Sequence, residues 1–237
     1  MSESYDLQAD LIPEVRSELG EPTAGFFTDT EITSWLNYGI KLFCRKTHIL
    51  KSTATKTWAA ETSSYALLDS STGIITDTDT YINPVIEIAE WRGSTSGVIP
   101  LHVSLREVLL RDPDRNVSTT KGTPAKLYYS PWEAKIGLDP TPDSAGTLAI
   151  YFSYDPALLV LESSKTLDAN LNKWWQDLCQ YAIYRGKKKD VDHFAPEEAQ
   201  ESYNNFKAAI ALAKEDMYRM ECPSQIIPFT RDYPELS

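Results

Sequence analysis

Residues 28–40 decide the first part of the fold, and they read TDTEITSWLNYGI. Thr28 and Glu31 have the spacing of a capping box, in which the threonine hydroxyl accepts a hydrogen bond from a backbone amide and the glutamate reaches back to the cap. The apolar side chains that follow are Ile32, Trp35, Leu36, Ile40 and Phe43. Since they fall on one face of a helix, the stretch predicts an amphipathic helix that runs to about Lys46.

A second helix is predicted immediately upstream. Apolar residues recur every four positions from Leu7 to Leu19, which is the spacing of one helical face. Gly20 and Pro22 then form a stop signal. The link to the next helix is short, so we expect the two helices to pack as an antiparallel pair.

Between Leu50 and Asp155 the sequence takes on the character of β-structure. Thr, Ser, Tyr and Val become common, Gly and Pro interrupt the chain, and the apolar spacing falls towards two. A capping box at Ser104 and Glu107 predicts one short helix within this region. The predicted strands span residues 53–59, 63–68, 85–91, 125–130, 134–138 and 147–154, with a hairpin loop at 129–134 and a proline-locked turn at 139–143.

Helix is predicted again in the C-terminal third. The first of these helices begins near Ala169 and ends at residues 185–186. The second begins at Pro196, because proline followed by two glutamates is typical of a first helical turn. Its apolar face continues to about Glu221.

The remaining residues, 222–237, are predicted to form an extended arm. They contain three prolines, which exclude a helix, and they are too apolar for a solvated tail. The large apolar side chains expected to anchor this arm on a partner are Ile226, Ile227, Phe229, Tyr233 and Leu236.

These elements predict the α+β class. Helices from the two ends of the chain, in residues 1–49 and 156–221, are expected to form one helical bundle domain. Residues 50–155 are expected to form a β-rich insertion domain, and the extended C-terminal arm follows.

The charge and composition of the chain disfavour several classes of function. The chain has 237 residues with a net charge of −11, and residues 1–31 hold eight carboxylates against one arginine. Electrostatic capture of DNA, RNA or anionic lipid needs clustered Lys and Arg, so it is disfavoured. No run reaches the roughly 18 apolar residues of a membrane helix, and the acidic N-terminus does not look like a signal peptide. Three isolated cysteines indicate ordinary reduced thiols.

The sequence contains few residues arranged like a catalytic, metal-binding or partner-binding site. No histidine has a second ligand at metal spacing, so neither a metal nor a cofactor is expected. Asp139 and Asp143 suggest a small hydrolase, but the two prolines between them favour a turn. The one basic run has two interpretations, complementing a helix dipole or contacting a carboxylate-rich partner or DNA phosphate. It consists of Arg185, Lys187, Lys188 and Lys189.

Aromatic residues in the β region leave an alternative function open. Tyr128, Tyr129, Trp132 and Tyr151 would suit a carbohydrate- or receptor-binding module if they were exposed, since aromatic rings stack on sugars. We expect at least half of them to be packing residues instead.

The order of features resembles the head–tail connector, or adaptor, proteins of tailed bacteriophages. The likeness is carried by residues 28–40, by GTPAKLYY at 122–129, by IGLDPTPD at 136–143 and by LAIYFSY at 148–154. A Trp- and Tyr-rich helix that ends in basic residues then precedes the long terminal helix.

This resemblance implies a structural virion protein without enzymatic activity. Such adaptors form a ring, usually of twelve copies, beneath the portal protein and join it to the tail or nozzle. DNA passes through the centre during genome ejection without sequence-specific binding. The protein would be made in the host cytoplasm, would not associate with a membrane, and would lie at the head–tail interface of the virion.

Overall fold

The computed structural model describes residues 4–77, 82–93, 97–111, 121–130, 132–161, 166–189 and 196–221. It confirms the α+β class. The chain divides into two compact units, one drawn from Met1–Ile49 and Val160–Ser237 and the other from Leu50–Leu159. We call them the helical unit and the β unit. The helices are α1 (Ile12–Glu18), α2 (Asp29–Thr47), α3 (Leu105–Arg111), α4 (Trp175–Lys189) and α5 (Pro196–Glu221).

The helical unit begins with a helix that opens in a wide turn. Asp6 caps it, because its carboxylate accepts hydrogen bonds from the backbone amides of Gln8 and Ala9. Residues Leu7–Leu11 form a π-helical turn that continues directly into α1. The predicted upstream helix is therefore present, with a π turn that the four-residue apolar spacing did not indicate.

The predicted capping box is confirmed. The Thr28 hydroxyl accepts a hydrogen bond from the Glu31 amide, and the Glu31 carboxylate accepts one from the Thr28 amide. Helix α2 ends at Thr47, and the residue that follows, His48, caps it in the left-handed conformation with φ 53°. The helix is thus one residue longer than the sequence predicted.

Arg16 joins α1, the following loop and the start of α2. Its side chain is almost fully buried, and its Nη2 donates to the Phe27 carbonyl at 2.8 Å. Its Nε donates to Asp29 Oδ1 at 3.1 Å, and its Nη1 lies 3.6 Å from Glu21 Oε2. One buried guanidinium therefore fixes the loop between the two predicted helices.

Small residues let the helices of this unit approach closely. A Cβ atom on Gly39 of α2 would lie 2.9 Å from the Tyr181 Cβ of α4. A Cβ on Gly186 would lie 2.5 Å from a methyl group of Leu19. At Gly39 the neighbouring atom is a Cβ that cannot rotate away, so close packing requires glycine there, whereas at Gly186 the Leu19 side chain would have to shift. The apolar centre of the unit includes Phe43, Trp174 and Phe206, whose rings contact one another through Phe43.

The described residues of the β unit form two four-stranded sheets and one two-stranded sheet. The first sheet has the order β1-β10-β3-β4, the second β2-β8-β7-β5, and the third pairs β6 with β9. The strands are β1 (Lys51–Trp58), β2 (Ser64–Ala66), β3 (Ile82–Arg92), β4 (Gly97–Val98), β5 (Leu101–Ser104), β6 (Lys121–Gly122), β7 (Lys126–Ser130), β8 (Lys135–Asp139), β9 (Thr141–Pro142) and β10 (Gly146–Asp155).

One apolar cluster is shared by the two larger sheets. Trp58 lies at its centre, fully buried, with its ring perpendicular to those of Tyr65 and Trp91. The other buried members of the cluster are Leu67, Ile74, Ile75, Ala89, Leu127, Ile136, Leu138, Leu148, Ile150 and Phe152. Burial of these side chains, at about 1.5–3 kcal/mol for each large one, provides the main driving force for the fold of this unit.

All six predicted strands are present, the short strands β4, β5 and β6 were not predicted, and two further details of the prediction are wrong. Residues 139–143 do not form a simple turn, because Thr141–Pro142 is a short strand that pairs in parallel with β6 after a cis Asp139–Pro140 bond. Helix α4 extends beyond residues 185–186 and ends at Lys189. The predicted helix after Ser104 is α3, and its cap is confirmed by the Glu107 amide, which donates to the Ser104 hydroxyl at 3.1 Å.

Candidate interaction surfaces

The basic run occupies the last turn of α4, in the helical unit. Cations in this position complement the partial negative charge at a helix C-terminus. Lys187 and Lys189 are each half-buried, whereas Arg185 and Lys188 are exposed. The four residues are therefore not equivalent, although they look so in the sequence.

Two of the four cations form ion pairs within the chain. Lys189 Nζ donates to Glu31 Oε1 at 2.6 Å and lies 4.9 Å from the centre of the Phe26 ring. This hydrogen bond, together with one from the Thr28 amide, lowers the pKa of Glu31. Lys187 Nζ lies 3.5 Å from Glu198 Oε2 of α5. The two ion pairs therefore link the end of α4 to α2 and to α5.

The two exposed cations border a surface pocket of about 440 Å³. Lys188 Nζ lies 5.7 Å from the centre of the Tyr184 ring, and Arg185 hydrogen-bonds to Tyr181. The pocket is lined by Glu31, Trp35, Tyr184, Arg185, Lys188 and Lys189. A carboxylate together with an apolar or aromatic group would suit this combination of guanidinium, ammonium and ring faces.

The ion pairs bear on the two interpretations of the basic run. Two glutamates offset two of the four charges, so the excess positive charge at this end of α4 is small. DNA capture depends on many uncompensated cations, because its affinity comes from the release of counterions. The geometry therefore favours a carboxylate-bearing protein over DNA phosphate.

The aromatic residues of the sugar-binding alternative do not share a surface. Tyr128 is buried, with its ring over Gly137 on the neighbouring strand. Tyr129 points the other way from the same strand, and Tyr151 lies on β10 in the other sheet. Trp132 is 87% exposed in the hairpin loop. Tyr129 and Tyr151 are also exposed, so the expectation that at least half of the four are packing residues is wrong: only Tyr128 is buried.

A cleft of about 510 Å³ opens in the β unit where β3 meets β5 and β7. We call it the β-unit cleft. Its apolar lining includes Leu68, Val85, Ile86, Val103, Leu127 and Tyr129. Asn83 and His102 add polar groups, but the Asn83 amide already donates to the Asp155 carboxylate at 2.9 Å. The cleft therefore presents an apolar surface to solvent.

Exposed apolar side chains continue beyond this cleft. Leu101 on β5 is 66% exposed, and Ile99 just before it is 72% exposed. β5 is an edge strand, paired only with β7 among the described residues. This surface was not predicted from the sequence, although apolar residues on both faces of strand 85–91 are a signal for it.

The comparison with known families gives the deciding observation. The sequence model of the SU10 adaptor protein family matches residues 8–226, which span both units. The chain belongs to the SU10 adaptor protein family. It is a bacteriophage structural adaptor, as the resemblance in the sequence implied. No curated protein matches the chain.

The family places the adaptor in the virion and among structural proteins rather than in a class of enzymes. Asp139 and Asp143 flank the short strand β9, so they border a paired segment. Within the described ranges no group of His, Cys, Asp or Glu side chains has the arrangement of a metal site. No helix in those ranges has the length and apolar character of a membrane span.

The predicted arm of the adaptor lies outside the described residues, with all its anchors: Ile226, Ile227, Phe229, Tyr233 and Leu236. The family match ends at Ile226, so four of the five anchors follow the matched range. The arm is therefore the part of this adaptor that the family describes least.

Proposed function

We propose that the adaptor assembles into a ring, of twelve copies, between the portal protein and the tail or nozzle. The family assignment is the observation that carries this proposal, since an adaptor of a tailed phage joins the head to the tail machinery. A closed ring of identical copies needs two different complementary surfaces on each subunit. The adaptor offers at least two separate candidates, the end of α4 and the β-unit cleft.

The surface at the end of α4 is assigned to a carboxylate-bearing partner in the head–tail assembly. Arg185 and Lys188 are its contact residues, because Lys187 and Lys189 are already paired with glutamates. The net charge of −11 suits a protein beside a DNA channel, since acidic walls do not retain DNA as it passes. The arm is assigned to partner binding through its apolar anchors.

Association with the portal protein of the same phage tests the ring. Purified adaptor is mixed with portal and examined by negative-stain electron microscopy and mass photometry. We expect portal particles that carry an added ring, with a mass increase of twelve subunits. A mass increase of a different multiple would correct the copy number. Persistent failure to associate would overturn the proposed function.

Charge reversal tests the assigned contact. The double variant Arg185→Glu/Lys188→Glu is expected to weaken association with portal or tail components by at least about tenfold, because like charges then face a carboxylate. Lys207→Glu/Lys214→Glu on α5 is the matched control, since both lysines are exposed. Equal weakening by the two variants would indicate a general charge effect and contradict the assignment.

A further inference from the structure

We propose that the β-unit cleft is the seat for the arm of a second copy of this chain, residues 222–230. This inference rests on the proposed ring and names a contact within it. It starts from the cleft itself, which is apolar, open to solvent, and continued by the exposed side chain of Leu101 on the edge strand β5. A surface of this kind in a soluble chain marks an interaction site.

The edge strand selects an extended occupant. Alternate backbone groups of an edge strand point away from its sheet, and an extended peptide satisfies them by adding a strand. Apolar side chains on one face of that peptide would then enter the cleft. The occupant is therefore an extended segment with large apolar residues two positions apart.

Residues 222–230 have this pattern. They read CPSQIIPFT, and Ile227 and Phe229 fall on one face of an extended chain because side chains alternate. Pro228 lies between them, on the opposite face, and proline is tolerated in edge strands. Prolines also restrict the free segment, so it loses less conformational entropy when it binds.

Charge and reach agree with the assignment. Residues 222–230 contain no charged side chain, and the polar groups that line the cleft are the neutral Asn83 amide and the His102 ring. Nine extended residues span about 30 Å, which exceeds the roughly 13 Å of the four-residue strand β5. An uncharged apolar segment, long enough to pair with all of β5, thus meets an apolar cleft whose lining contains no carboxylate, lysine or arginine.

The second copy follows from the way rings close. An arm that leaves one subunit and binds the next makes a head-to-tail contact, and repetition of that contact closes a ring. An arm bound to its own chain would add nothing to assembly. The contact is therefore between neighbouring copies.

Photo-crosslinking of the full chain tests the contact. Leu101 is replaced by p-benzoylphenylalanine, a position chosen because its exposed side chain leaves the core intact. Unlabelled and ¹⁵N-labelled chains are mixed at about 100 μM, irradiated, and analysed by mass spectrometry. We expect mixed-isotope links between position 101 and residues 222–230. The same label at Thr53, exposed on β1, is the control and should give no such link.

Substitutions in the arm separate a specific contact from a general one. Ile227→Asp/Phe229→Asp is expected to reduce the crosslink yield by at least about tenfold, because an unpaired carboxylate does not enter an apolar cleft. Leu212→Asp adds a carboxylate at an exposed position of α5, outside the arm, and should leave the yield unchanged. Both sites lie outside the β unit, so neither variant disturbs its fold.

Each other outcome overturns the proposal. Links only within one isotope species would mean that the arm binds its own chain, and links elsewhere or none would mean that another occupant fills the cleft. If rings form on the portal without the arm–cleft link, the proposed function stands and this inference fails. If the link forms but portal binding does not, the ring proposal fails and the contact remains.

Discussion

Replacement of Arg16 by methionine would remove the buried cation that ties α1 to α2. Methionine keeps an apolar stem of similar length, so packing is largely retained while the hydrogen bonds disappear. The Phe27 carbonyl loses its donor at 2.8 Å, and Asp29 loses the guanidinium that contacts it through two nitrogens. The variant therefore isolates the polar part of this junction.

The expected loss is about 2–3 kcal/mol of unfolding free energy. Phe27 is buried, and a buried carbonyl left without a partner costs about 1–3 kcal/mol. The Asp29 side chain is about half exposed, so its ion pair with Arg16 adds at most about 1 kcal/mol. Water that reaches the Phe27 carbonyl would move the result towards the lower limit.

Urea denaturation followed by circular dichroism at 222 nm measures this loss. Arg219→Met is the matched control, because Arg219 makes the same kind of ion pair with Glu215 while its side chain is 65% exposed. We expect the control to lose about 0.5 kcal/mol or less. If the Arg16→Met and Arg219→Met variants lose the same amount, the junction does not depend on the buried guanidinium and the reasoning is wrong.

Three further predictions concern the helical unit. Gly39→Ala should lower the unfolding free energy by about 1 kcal/mol net in the same assay. Alanine gains about 1 kcal/mol in helix propensity, but crowding against Tyr181 costs more than that. A variant more stable than wild type would contradict this. Burial raises the pKa of the Cys179 thiol, and the Cys44 thiol is also buried. Iodoacetamide at pH 8 should therefore label neither cysteine until the chain is unfolded. Peptide mapping of the labelled native protein checks this, and a labelled cysteine would contradict it. The pKa of Glu31 lies below its ordinary value of 4.5, so its ion pair should stabilise the fold above pH 4.5. This stabilisation should disappear as the pH falls through the lowered pKa. If the difference in unfolding free energy between wild type and Glu31→Gln grows on acidification, the prediction is wrong.

Helices and strands were predictable where the interactions that determine them involve only residues close together in the sequence. The capping box at Thr28 and Glu31 needs four consecutive residues, and both of its hydrogen bonds are present. Strand 147–154 follows from a run of β-branched and aromatic residues, and it became the central strand β10. Neither required knowledge of the rest of the chain.

Contacts between distant residues were not predictable in the same way. The pairing of Lys189 with Glu31 joins residues 158 positions apart, so the sequence showed a uniform basic run where the fold has two paired and two exposed cations. The burial of Tyr128 depends on Gly137 across the hairpin. The short strand β9 exists because β6 pairs with it, and no local pattern announces that partner.

The arrangement of β1 and β10 has a consequence for how this chain can be altered. The two strands pair along their full length, with Lys51 opposite Ser153. Opposed residues of antiparallel strands have Cα atoms about 4.5–5.5 Å apart, so the first and last strands of the β unit lie side by side near the start of β1. A tight turn can bridge a gap of that width, so the β unit can be deleted or replaced as one segment of the chain. The same geometry would accept another module whose two ends lie equally close together.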